Sequence, residues 1–99
     1  MSFFQVTSSE LRKKADQLKG LNARFKSGTD SMQATEQSLK SMWEGEANQA
    51  FHNAFIKDKG SMDQFHAAIE RFIEALLIIA AKYEEAEKKN IQTATVRSC

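Results

Sequence analysis

Met42-Trp43-Glu44-Gly45-Glu46 stands near the middle of the chain and contains its only Trp and one of its four Gly residues. A glycine takes the left-handed conformation that ends a helix without steric penalty, so Gly45 reads as the residue just past a helix C-terminus. Glu44 and Glu46 stand where a second helix would begin, and carboxylates are favoured at a helix N-terminus. The stretch predicts a tight helix–turn–helix elbow with a projecting indole. The plainer alternative is an ordinary αα-hairpin turn around a core Trp.

Upstream, Thr7-Ser8-Ser9-Glu10 fits a capping box, and Val6 with Leu11 fits a hydrophobic staple, so helix one starts near Ser8. Leu11, Leu18, Phe25, Met32 and Leu39 then recur at every seventh position. A mixed track (Ala15, Asn22, Thr29, Glu36, Trp43) accompanies them, and a narrow coiled-coil-like seam is expected with Asn22, Thr29 and Glu36 at its edge. Gly28 is a weak point where this helix would bend. The helix should run to about Met42, roughly 50 Å long.

Downstream, Phe51, Asp58, Phe65, Phe72, Ile79 and Ala86 form one seven-residue rail. Phe55, Met62, Ile69, Leu76 and Tyr83 form another. Ser61-Met62-Asp63-Gln64 resembles a further capping box, so a third helix from Ser61 is the alternative. The heptad phase is the same on both sides of Gly60, which favours one helix from Glu46 to about Lys89 and a flexible tail over 90–99.

Between Phe72 and Tyr83 the apolar face widens with Ile73, Leu77, Ile78 and Ala80, more than one hairpin seam can bury. Leaving such side chains in water costs on the order of 1.5–3 kcal/mol each. A second hairpin covers them, so an all-α two-helix antiparallel hairpin that dimerises into an elongated four-helix bundle is expected.

Composition narrows the function. The 99 residues make one domain, and with 14 basic against 13 acidic residues the net charge of +1 gives no case for nucleic-acid binding. No Pro interrupts the helices. The N-terminus lacks the pattern of a signal peptide, and the apolar run Ala75 to Ala81 is too short for a stable membrane insertion. The single Cys, Cys99, rules out an internal disulfide and reads as a tail thiol, the alternative being a link between two chains under oxidising conditions.

Trp43-Glu44-Gly45, two long helices, and Tyr83-Glu84-Glu85-Ala86-Glu87 together resemble the WXG family of small type VII secretion substrates, the early-secreted-antigen-like proteins. Val6-Thr7-Ser8-Ser9-Glu10-Leu11 is similar to that family's helix-one opening, and the likeness spans residues 3 to about 90. Tyr83 and Glu87 match the family's Tyr-x-x-x-Asp/Glu export motif, four apart on one helix face. The resemblance implies export as a folded dimer through an ATPase-driven type VII machine. It also implies a two-part signal: the Trp-x-Gly turn of one subunit beside the Tyr-x-x-x-Glu segment of the other. The implied partner is the chain itself or a paralogue. The tail Thr93 to Cys99 has no counterpart in the family pattern, and Phe3 and Phe4 are candidates either to pack on a partner's elbow or to be disordered.

Catalysis finds no support, because no triad, phosphate loop or strand pattern is present. His52 and His66 stand about 21 Å apart along one helix and cannot share a metal in one chain. Asp63, His66 and Glu70 have carboxylate–His spacing, but helix one offers only Glu36 on its seam. No cofactor, metal or catalytic residue is assigned. Trp43, Gly45, Tyr83 and Glu87 carry the expected export signal. Leu11, Leu18, Phe25, Met32, Leu39, Phe51, Phe55, Met62, Phe65, Ile69, Phe72, Leu76 and Ile79 carry the core and dimer contacts. The alternatives are a targeting partner for a larger secreted toxin, or an intracellular coiled-coil adaptor.

Overall fold

The structure, a computed structural model, describes residues 6–98 and the side chains of 6–90. Two helices make up the fold: α1, Ser8–Met42, and α2, Glu46–Ser98. Phe3, Phe4 and Cys99 lie outside the described residues.

Thr7 caps α1. Its Oγ1 accepts from Glu10 N–H at 3.1 Å and its carbonyl from Leu11 N–H at 3.1 Å. The helix ends where Trp43 N–H donates to the Leu39 carbonyl at 3.0 Å. Gly45 follows at φ 117°, and among the described residues no other carries a positive φ. That conformation, not crowding, demands glycine, since a Cβ there would meet nothing within 4 Å.

α2 passes Gly60 unbroken and continues to Ser98, 53 residues in all. This corrects the expected helix end near Lys89: residues 90–98, expected as a tail, are helical. No Gly or Pro follows Gly60, and a polar composition by itself does not stop a helix. Gly28 and Gly60 lie inside the helices, and a Cβ at either meets nothing within 4 Å. Gly28→Ala and Gly60→Ala should each stabilise by about 0.5–1 kcal/mol, whereas Gly45→Ala should destabilise. Urea unfolding of the three variants checks the opposite signs.

The helices pack in two compact units: an elbow unit, Gly20–Glu70, and a terminal unit, Met1–Lys19 with Arg71–Cys99. In the elbow unit the antiparallel register is fixed by paired contacts. Asn22 Nδ2 donates to the His66 carbonyl at 3.1 Å, Phe25 meets Phe65 edge-on at 5.5 Å, and Glu36 Oε1 lies 2.5 Å from His52 Nδ1. In the terminal unit Ala15, Ile73 and Ala80 are buried.

The packing corrects the expected seam. Asn22, Thr29 and Glu36 are not at its edge but buried, at 6%, 4% and 5% exposure. They tolerate burial because each is satisfied: Asn22 and Glu36 by the bonds above, and Thr29 by donating to the Lys26 carbonyl at 2.9 Å. The facing track on α2 is His52, Lys59, His66, Ile73 and Ala80, a seven-residue series distinct from both apolar rails. The large side chains flank it. Leu11, Leu18, Phe25, Phe55, Met62, Ile69 and Leu76 are half-buried, whereas Met32, Leu39, Phe51, Phe65, Phe72 and Ile79 are exposed.

The pair of buried Glu36 and half-buried His52 yields a separate prediction. Glu36→Ala deprives His52 of its partner and should cost about 1–3 kcal/mol. Replacing both by Leu should recover most of that loss, because an apolar pair of similar volume carries no desolvation penalty. Urea unfolding of Glu36→Ala and of the double Leu variant reads the difference.

Candidate functional site

The elbow is built by three side chains. Trp43, half-buried, lies 5.9 Å from Phe51 with the rings tilted at 50°. Asn48, in the first turn of α2, donates from Nδ2 to the Lys40 carbonyl at 3.2 Å and also to the Trp43 carbonyl. The last carbonyls of a helix lack intrahelical donors, and Asn48 supplies one for the end of α1. Beside them Met42 stands 80% exposed. Sequence reasoning misses Asn48. Its signal is an Asn inside a helical first turn, where Asn gains only if its side chain binds backbone nearby.

In the terminal unit Tyr83 and Glu87 stand one turn apart on α2. Tyr83 is exposed. Glu87 is exposed but hydrogen-bonded within the unit. Its Oε1 accepts from Ser8 N–H at 3.1 Å and its Oε2 from the Ser8 hydroxyl at 3.1 Å. The carboxylate therefore sits on the N-terminus of α1, where it satisfies an orphan N–H and meets the positive end of the helix dipole. One turn along, Arg12 Nε donates to Glu84 Oε1 at 2.5 Å. Arg12 holds the Glu84 carboxyl below its ordinary value, and Glu84 holds the guanidinium above its own. The Glu84 contribution is thus present above the ordinary carboxylate range and fades as pH falls; both side chains are largely exposed, so solvent screens it.

Each unit leaves large apolar side chains exposed. In the elbow unit Leu21, Met32, Leu39, Phe51, Ile56 and Phe65 remain exposed. In the terminal unit Phe72, Ile78, Ile79 and Tyr83 do. The charged flank of the elbow unit centres on buried Lys59, 2.7 Å from Asp63 and 3.6 Å from Asp30. Asp63 raises the Lys59 ammonium, and Lys59 lowers the Asp63 carboxyl. His66 Nδ1 pairs with Glu70 at 3.0 Å. Among the described residues no three His, Cys, Asp or Glu side chains gather as metal ligands, and no helix is long and apolar enough to cross a membrane. Of the sequence-assigned signal residues, Trp43 and Gly45 belong to the elbow unit, and Tyr83 and Glu87 to the terminal unit.

The elbow unit thus carries an aromatic turn, and the terminal unit a carboxylate-capped helix start. The model of the WXG100 family, proteins of 100 residues with WXG, matches residues 4–88. The chain belongs to the WXG100 family. Among curated protein sequences none matches it. Solved structures of EsxB, a secreted protein from Bacillus anthracis str. Sterne, share the fold. A proline-to-alanine point mutant of EsxB is 27% identical with a TM-score of 0.76, covering 86% of this chain and 96% of its own. The selenomethionine-labelled EsxB is 25% identical with a TM-score of 0.77, covering 88% and 99%. The wild-type EsxB is 26% identical with a TM-score of 0.74, covering 84% and 89%. α2 of this chain runs ten residues past the end of the family match, from 88 to Ser98.

Proposed function

We propose that this protein is a non-enzymatic substrate of a type VII secretion system, released from the cytoplasm as a folded dimer. The observation that carries the reading is family membership over residues 4–88 together with likeness to a secreted protein. The uncovered apolar flanks support dimerisation, since Phe65 and Phe72 remain 55% and 63% exposed in the single chain. The partner is a second copy or a paralogous WXG protein. The signal has two parts: the Trp43–Gly45 elbow of one subunit and the Tyr83–Glu87 segment of the other, read by the hexameric secretion ATPase.

The test compares culture supernatant with cell lysate in the parent strain and in one lacking that ATPase. Release into the supernatant only when the ATPase is present is expected. Retention in both strains would instead point to an intracellular adaptor, and obligate co-release with a larger toxin to a targeting partner.

A further inference from the structure

We propose that Asn48 is a further member of the elbow signal, a positioning residue that fixes how Trp43 is presented. The inference rests on the reading of the elbow as part of an export signal. Three observations carry it.

First, Asn48 Nδ2 bonds two carbonyls at once, that of Lys40 in the last turn of α1 and that of Trp43 in the turn itself. One side chain on α2 thereby ties together the end of α1 and the residue bearing the indole. Second, the orientation of the amide is dictated: only Nδ2 can donate, and a flipped amide would set an oxygen against two carbonyl oxygens. Third, that orientation leaves Asn48 Oδ1 buried with no hydrogen-bond partner, the one such side-chain atom among the described residues.

Trp43 follows the end of α1 and precedes Gly45, so helical bonding no longer holds its carbonyl. Gly45 at φ 117° lets the chain turn but does not restrain it. The Asn48 amide supplies the restraint, and the indole then rests on Phe51.

Asn48→Asp is the discriminating variant, because two rules give it opposite signs. A carboxylate in the first turn of a helix is ordinarily favourable. Here it would replace the donor by an oxygen facing two carbonyls, and the clamp would open. Trp43 is the only Trp, so its fluorescence reports the elbow directly. Asn48→Asp and Asn48→Ala should both raise acrylamide quenching of Trp43 and lower export about tenfold, with ellipticity unchanged. Gln49→Asp, which adds the same charge one exposed residue further on, should leave quenching and export at the parent level.

Unchanged Trp43 quenching in the Asn48 variants would overturn the clamp. Altered quenching with parental export, where Trp43→Ala is retained in the cell, would remove Asn48 from the signal and leave the proposed function standing. Normal export of Trp43→Ala would overturn the elbow's part in export, and this inference with it.

Discussion

Glu87→Ala is expected to lower the exported fraction by at least roughly tenfold, the loss given by truncating a recognition hot spot worth about 1.4 kcal/mol or more. The chain itself should survive the change. Glu87 caps α1 through Ser8, and loss of a cap costs about 0.5–2 kcal/mol against a typical domain stability of about 5–15 kcal/mol. Ser8→Ala separates the two roles. It removes the hydroxyl bond to Oε2 but keeps the backbone N–H and the carboxylate. If Glu87 acts in export through its charge, Ser8→Ala should be released at close to the parental level while Glu87→Ala is retained. If Glu87 acts only by capping, export should fall in step with stability in both variants. Amide hydrogen exchange over the first turn of α1 measures the capping loss, and supernatant-to-lysate ratios measure export.

The second large effect is expected at the apolar flank. Phe72 is 63% exposed, yet it is a large aromatic on a helix face shared with Ile79. In a four-helix bundle that ring would be buried, and its burial would contribute about 1.5–3 kcal/mol in each subunit. Because a symmetric interface uses every substitution twice, Phe72→Glu should weaken self-association by at least roughly a hundredfold, or about 2.7 kcal/mol. Monomer stability should change little, since the ring has scant cover within its own chain. Light scattering during size-exclusion chromatography gives the mass, and ellipticity gives the helix content. Gln64→Glu, at an exposed polar position of the same helix, supplies the charge control and should leave the mass unchanged.

The hairpin is legible in local chemistry. Gly45, the carboxylates beside it, and the Thr7 cap each specify their own backbone, and the absence of Pro leaves two long helices between them. The seven-residue repeat gives the period of the packing but not its phase. Asn22, Thr29 and Glu36 look like surface residues, and only the bonds to His66, Lys26 and His52 make their burial tolerable. Those partners lie on the other helix or one turn back, and a composition pattern does not display them. The Ser8–Glu87 contact is hidden for the same reason, with 79 residues between donor and acceptor. At the far end of α2 the polar composition suggests a tail, yet the lack of any helix breaker after Gly60 is the stronger local signal. At the elbow the Trp43–Gly45 pair announces itself, whereas Asn48 acts through a side-chain bond to backbone that the sequence shows only as an unusual residue type for a first turn.

Dimerisation requires the exposed rings of α2 to meet a second chain. Sedimentation equilibrium of the unmodified protein, diluted from about 100 µM to about 1 µM, measures this directly. A species of twice the 11.2 kDa chain mass that persists through most of the dilution is expected. A single 11.2 kDa species at every concentration, with full helicity and Phe72 left in water, would contradict self-association.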